Sequence, residues 1–145
     1  MNGAEDKSIA LFDSGYFCAE SVLIALAEEM GIESEFLPAL ATGFCGGMAR
    51  TSGTCGAITG AMLALNIAFG RKSHLDSAEE NYWVVQELIE RFTKKFSSTN
   101  CRDLTGCDLG SKAGQKLFIK NNCKELCREY TGFAAATASD ILKNR

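Results

Sequence analysis

The sequence predicts an all-α protein, a single-domain bundle of about five to seven helices. Three observations predict it. No segment alternates apolar and polar residues as a half-buried strand would, the chain holds one proline in 145 residues, and apolar residues recur at spacings of three and four. The length suits one domain with a substantial core, and no linker, repeat or low-complexity tract divides it. We therefore assign residues 1–145 to one domain.

The first third of the chain is predicted to hold three helices. A short helix covers residues 5–13, and a second covers 17–30, where apolar positions recur at helical spacing. Gly31 is a suitable stop for the second. A third short helix is expected over 34–41, with Pro38 tolerated near its beginning.

A glycine-rich loop over residues 42–53 precedes a helix over 54–69 that begins with Cys-Gly-Ala-x-x-Gly. Gly56 and Gly60 are four apart, so they expose backbone on one face of that helix. Each glycine costs roughly 1 kcal/mol of helix stability relative to alanine. We expect this face to admit either a neighbouring helix or a bulky cofactor.

The second half is predicted to be helical as well. Residues 76–97 are strongly amphipathic, with Asp76 or Ser77 as the cap. The expected buried stripe consists of Tyr82, Val85, Leu88, Ile89, Phe92 and Phe96. Two further helices are expected over 111–130 and 133–143, separated near Thr131-Gly132.

Composition excludes several functions. A net charge of −3 and a pI near 5.2 argue against nucleic-acid binding, which needs a dense basic surface. The most apolar stretch, 57–69, is too short to insert into a membrane. The first residues have no basic segment followed by an apolar run, so we expect no secretory signal and a cytoplasmic location. In that reducing compartment, seven cysteines are metal ligands, redox thiols or small buried side chains rather than a disulfide scaffold.

Three cysteines share one local placement. Cys18, Cys55 and Cys101 each fall where a helix is expected to begin, the last after Asn100 as its cap. Helix starts present unpaired N–H groups and partial positive charge, which stabilise a thiolate. We expect these three to be the reactive or ligating sulfurs, although each could also be a small buried residue.

The sequence indicates a functional role less strongly for each of the other cysteines. Cys123 and Cys127 are four apart on an expected helix, so they would share one face and supply one or two ligands, or join the apolar stripe. Cys45 lies in the glycine loop, and Cys107 follows Cys101 by six residues. The single histidine, His74, is expected on a surface loop, so a Cys–His catalytic pair has no evident base.

Thiolate donors favour zinc or iron–sulfur clusters over hard cations. The chain has no Cys-x-x-Cys pair, which argues against a zinc ribbon and against a thioredoxin-like site. Single cysteines from separate helices can still bind a cluster if the fold gathers them.

The cysteine pattern resembles the C_GCAxxG_C_C family, whose redox role is itself inferred from its cysteines. The resemblance spans about residues 9–142. It rests on four segments: Phe17-Cys18-Ala19-Glu20-Ser21-Val22, Gly43-Phe44-Cys45-Gly46-Gly47-Met48, Cys55-Gly56-Ala57-Ile58-Thr59-Gly60 and Cys101-Arg102-Asp103-Leu104-Thr105-Gly106. The resemblance implies four functional cysteines: Cys18, Cys55, Cys101 and one of Cys123 or Cys127.

Three hypotheses follow. The first is an electron-transfer or oxidoreductase function in which Cys18, Cys55, Cys101 and Cys123, with Cys127 as the alternative fourth ligand, bind an iron–sulfur cluster or other thiophilic metal beside Gly56. A redox partner protein is then implied. The second is metal-free thiol–disulfide exchange, with Cys55 attacking and Cys18 or Cys101 resolving. The third is an accessory module that stores a metal, or whose cysteines only pack.

Overall fold

The computed structural model describes residues 3–145, and this part of the chain forms nine helices and no strand beyond one isolated bridge between Thr54 and Asn100. Met1 and Asn2 of the expected domain lie outside the described residues. The helices are α1 Gly3–Ser14, α2 Cys18–Glu29, α3 Ala39–Thr42, α4 Cys45–Met48, α5 Gly56–Phe69, α6 Glu79–Phe96, α7 Cys101–Thr105, α8 Lys112–Lys120 and α9 Lys124–Lys143.

The all-α prediction is confirmed, but the expected count of five to seven helices is too low. The excess comes from α4 and α7, which are four and five residues long. Elements of about one turn show no apolar period that a sequence pattern could reveal. Within residues 3–145, no helix is long and apolar enough to span a membrane.

The core lies where α2, α5 and α9 meet, with α1 and α6 packed around them. Its largest fully buried side chains include Leu23, Leu26, Ile58, Leu65, Leu88 and Phe92. Gly60 of α5 lies directly on α2, since a Cβ there would lie 2.5 Å from the carbonyl oxygen of Ala19. This end of the exposed glycine face therefore serves tight helix packing.

The expected break at Thr131-Gly132 is wrong, because α9 runs without interruption through both residues. Gly132 is needed for close approach to α1, since a Cβ would lie 2.7 Å from Cδ1 of Ile9. The chain breaks instead between α8 and α9, where Asn122 takes a left-handed conformation with φ 51°.

Two other predictions are partly wrong. Of the helix expected over 34–41, only the end is helical, and Pro38 stands at the N-cap of α3 because it lacks the N–H that a helix interior needs. In α6 the buried side chains are Val84, Leu88 and Phe92, whereas Tyr82 is 57% exposed.

The expected α6 caps also act differently. The N-cap is Ala78. Ser77 Oγ accepts a hydrogen bond from the backbone N–H of Glu79 at 3.1 Å. The Asp76 carboxylate instead accepts from Lys72 and Ser73 in the preceding turn.

Candidate thiol site

A cavity of about 610 Å³ opens beside the core, and helices from across the chain form its wall. Five of the seven cysteines line it: Cys18, Cys45, Cys55, Cys101 and Cys127. They come from the start of α2, the glycine-rich loop over residues 42–53 (the glycine segment), the start of α5, the start of α7 and the first turns of α9. Cysteines that are up to 109 positions apart in the sequence thus line one cavity.

A pair of backbone hydrogen bonds holds Cys55 and Cys101 side by side. The N–H of Cys55 donates to the carbonyl of Thr99 at 2.7 Å, and the N–H of Cys101 donates to Gly53 at 2.8 Å. Asn100 caps α7, because its side-chain oxygen accepts hydrogen bonds from the backbone N–H groups of Arg102 at 3.0 Å and Asp103 at 3.3 Å. The predicted cap of α7 is confirmed. It fixes the backbone direction at Cys101, where the chain passes from the Thr54–Asn100 bridge into α7.

Cys18 is the first residue of α2. The start of this helix is fixed by Glu20, whose carboxylate accepts from the N–H of Phe17 at 2.9 Å and from the hydroxyl of Thr42 at 2.7 Å. The sulfur of Cys18 lies against Gly56, since a Cβ at position 56 would lie 2.5 Å from it. Gly56 therefore lets α2 bring Cys18 to the wall beside Cys55.

The glycine segment approaches the cavity in an unusual conformation. Five consecutive residues, 46–50, have positive φ between 54° and 70°. Three of them are not glycine, and for such residues this conformation costs roughly 1–2 kcal/mol each. At Gly47 a side chain could not be accommodated, because a Cβ would lie 2.5 Å from the Cβ of Cys101. This strained turn places Cys45 and Arg50 on the cavity wall.

Cys123 and Cys127 occupy different places. Cys127 lines the cavity. Cys123 is the N-cap of α9 and lies behind the wall, with its sulfur 3.8 Å from that of Cys107. The coordination role of either residue stays a prediction, but only Cys127 shares the cavity with Cys18, Cys55 and Cys101.

Cys45 is a wall residue that its position in the sequence only weakly indicated. Its sulfur contacts the start of α2, where a hydrogen bond with Cys18, together with burial, raises the pKa of the Cys45 thiol. The N–H groups of Glu20 and Ala19 act in the opposite direction. The glycines beside Cys45 were the available signal, because they let the backbone turn sharply toward the cavity.

Burial is the main cause of the raised pKa at three other wall thiols, Cys55, Cys101 and Cys127. It raises the pKa of Cys55 to about 11, although the N–H groups of Ala57 and Ile58 lower it in part. It raises the pKa of Cys127 to about 12, and it raises that of Cys101 as well. The start of α5 is expected to favour a thiolate, but at Cys55 desolvation outweighs the helix-end N–H groups.

The wall carries basic and no acidic side chains. Arg50 and Lys124 line the cavity, and none of its lining residues is Asp, Glu or His. His74 is exposed on a loop, as expected. Across residues 3–145, no three or more His, Cys, Asp or Glu side chains are grouped so that they could hold a metal ion. The sulfurs are distributed over the wall of the cavity.

Fold and site together define a small all-helical protein with a thiol-lined cavity. The model of the family described as "Putative redox-active protein (C_GCAxxG_C_C)" matches residues 16–141, and the chain belongs to this family. An uncharacterized protein of Archaeoglobus fulgidus is 31% identical over 110 residues, which cover 70% of this chain and 73% of that protein. No solved structure matches the chain.

Proposed function

We propose that this protein is an electron-transfer protein that holds an iron–sulfur cluster in the cavity through Cys18, Cys55, Cys101 and Cys127. The observation that carries the proposal is the meeting of these four thiols, from four separate helices, on the wall of one cavity. A bound cluster would supply a reversible one-electron couple. A redox partner protein would deliver or accept the electron.

The donor set supports a soft metal centre. All the side chains on the wall that could bind a metal firmly are thiols, the ligands preferred by iron–sulfur clusters and zinc. Four thiolates around a single tetrahedral ion converge to about 2.3 Å from it. The cavity of about 610 Å³ has room for a polynuclear cluster.

The charges of the wall also suit a thiolate-bound cluster, which carries net negative charge. Burial raises the pKa of the Cys55 thiol to about 11 and that of the Cys127 thiol to about 12, so both are protonated at neutral pH in the metal-free chain. Bound iron would replace those protons, and metal binding is accordingly expected to release them. Arg50 and Lys124 would offset the remaining negative charge of a thiolate-bound cluster.

The raised pKa of the Cys55 thiol argues against metal-free thiol exchange with Cys55 as the attacking group. A nucleophilic thiol is activated by a depressed pKa, whereas burial raises the pKa of Cys55 to about 11. Alkylation of the metal-free protein at about pH 6 discriminates the two functions. We expect slow reaction of Cys55, and rapid, selective modification would favour thiol–disulfide exchange.

Iron and acid-labile sulfide, measured per chain after anaerobic purification and reconstitution, test the proposal. Cys127→Ser and Cys123→Ser form a matched pair four residues apart, the first within α9 and the second at its N-cap. We expect the first to lose cluster binding and the second to retain it. A chain that remains free of iron and sulfide after both strictly anaerobic purification and reconstitution would rule the cluster out.

The seven free thiols suit a reducing cytoplasm as the setting.

A further inference from the structure

A second thiol pair lies behind the cavity wall and has no part in the proposed cluster site. The sulfurs of Cys107 and Cys123 are 3.8 Å apart, and both residues are 2% exposed. Both sulfurs also point to one acceptor, the carbonyl oxygen of Thr105, at 3.5 and 3.4 Å. This shared acceptor holds the two side chains toward each other.

The pair stands at the base of a peripheral segment. Between the two cysteines the chain runs out through residues 108–122 and returns, and this segment contains α8. Gly114 is the one buried residue of α8. The segment nevertheless supplies one side of the cavity wall, through Leu109, Gln115, Phe118 and Ile119.

We propose that Cys107 and Cys123 form a reversible disulfide that ties the base of the 108–122 segment and so fixes this side of the cavity wall. A disulfide has its sulfurs about 2.05 Å apart, so the pair closes by a movement of less than about 2 Å. Side-chain rotation accomplishes much of that movement, because both residues lie outside helix interiors: Cys107 follows α7, and Cys123 is an N-cap.

The oxidant must be small, since the pair is buried. Hydrogen peroxide is suitable, and the cavity brings it to within one residue of the pair, because Thr105 lines the cavity and its carbonyl oxygen accepts from the two sulfurs. Peroxide converts one thiol to a sulfenic acid and releases water. The second sulfur then attacks the first, the S–O bond breaks, the S–S bond forms, and a second water leaves. Two thiols and one peroxide thus give one disulfide and two waters, and an external dithiol reverses the reaction.

Peptide mapping tests the link directly on the wild-type chain of 145 residues. The reduced protein is treated with about one equivalent of hydrogen peroxide, its remaining thiols are alkylated in denaturant, and it is digested with trypsin. Cleavage after Arg or Lys places Cys107 in peptide 103–112 and Cys123 in peptide 121–124, while Cys101 and Cys127 fall in other peptides. We expect these two peptides to be joined and to separate on reduction.

Limited trypsin digestion of the folded protein tests the structural consequence. Lys112, Lys116 and Lys120 are exposed sites on the tied segment. We expect several-fold slower cleavage there after oxidation, because opening of the segment is restrained. Cys107→Ser should abolish the difference, and Cys127→Ser, one turn from Cys123, should retain it.

The proposal is overturned if both Cys107 and Cys123 are recovered alkylated from peroxide-treated wild type. It is also overturned if the two are linked but cleavage at the three lysines is unchanged. Neither result depends on whether the cavity binds a cluster.

Discussion

The sulfur of Cys18 rests on the backbone of Gly56, so close that a Cβ at position 56 would lie 2.5 Å from it. The same Cβ would lie 2.9 Å from the carbonyl oxygen of Phe44. One missing side chain therefore allows α2, α5 and the glycine segment to meet at the cavity.

Gly56→Ala should destabilise the protein, although alanine is the better helix former. Intrinsic propensity favours alanine by roughly 1 kcal/mol. Overpacking at a site enclosed by backbone costs typically 1–3 kcal/mol and displaces the neighbouring groups. We expect a net loss of about 1–2 kcal/mol in the free energy of unfolding by urea, with lower cluster occupancy after reconstitution.

Gly43→Ala is the matched control. A Cβ at position 43 would meet no atom within 4 Å, and its φ of −70° suits any residue. This variant should keep wild-type stability and cluster content. Equal behaviour of the two variants would show that the contact between Cys18 and Gly56 is unimportant.

The basic residues of the wall should set the reduction potential of a bound cluster. Reduction of such a cluster would add negative charge, which Arg50 and Lys124 on the cavity wall would stabilise. Arg50→Gln and Lys124→Gln should each lower the potential by a few tens of millivolts at most, less than about 1 kcal/mol, because both side chains are exposed and solvent screens their charge. Anaerobic redox titration measures the shift.

Arg71→Gln serves as the control for charge at a distance, because Arg71 lies on an exposed loop and does not line the cavity. The reduction potential of a cluster bound by this variant should equal that measured in the wild type. Equal shifts in all three variants would indicate a general charge effect and would remove the role proposed for the wall residues.

The sequence predicted the long helices better than it predicted the details of the site. Helices such as α2 and α6 bury a face against the core, so apolar spacing reveals them. The break expected at Gly132 was wrong because that glycine accommodates Ile9 of another helix, a tertiary contact that no local pattern records.

The fourth wall thiol could not be chosen from spacing alone. A separation of four places two residues on one helix face only if both lie inside the helix. Cys123 is the N-cap and turns toward Cys107, whereas Cys127 is within α9 and lines the cavity. The left-handed turn over 46–50 was equally inaccessible, because Met48, Ala49 and Arg50 are not residue types that favour positive φ.

The stability of the metal-free chain should fall as the pH rises from 9 to about 11. Burial raises the pKa of Cys55 from 9.0 to about 11, so the unfolded chain loses this proton first. The stabilising contribution is complete below pH 9 and is lost as the pH passes through the folded-state value. Two pKa units correspond to roughly 2–3 kcal/mol.

Urea unfolding of wild type and Cys55→Ala across this pH range isolates the effect from that of other titrating groups. The free energy of unfolding of the variant should depend less steeply on pH. Parallel curves would show that the Cys55 thiol does not have a raised pKa in the folded chain.

A buried hydroxyl in α9 offers a further test of the packing between helices. Thr131 is fully buried, and its Oγ1 is the single buried side-chain N or O atom within residues 3–145 that lacks a hydrogen-bond partner. Leaving such a group unpaired costs about 1–3 kcal/mol, and valine has nearly the same shape without the hydroxyl. Thr131→Val should therefore raise the free energy of unfolding by about 1 kcal/mol.

Thr59→Val provides the opposite case at a similarly buried helical position. The Thr59 hydroxyl donates to the carbonyl of Gly56 at 3.2 Å, so its removal should lower the free energy of unfolding by about 0.5–1.5 kcal/mol. Urea unfolding of the two variants should move in opposite directions. Destabilisation by Thr131→Val would mean that its hydroxyl finds a partner, such as a buried water, in the space between α9 and its neighbours.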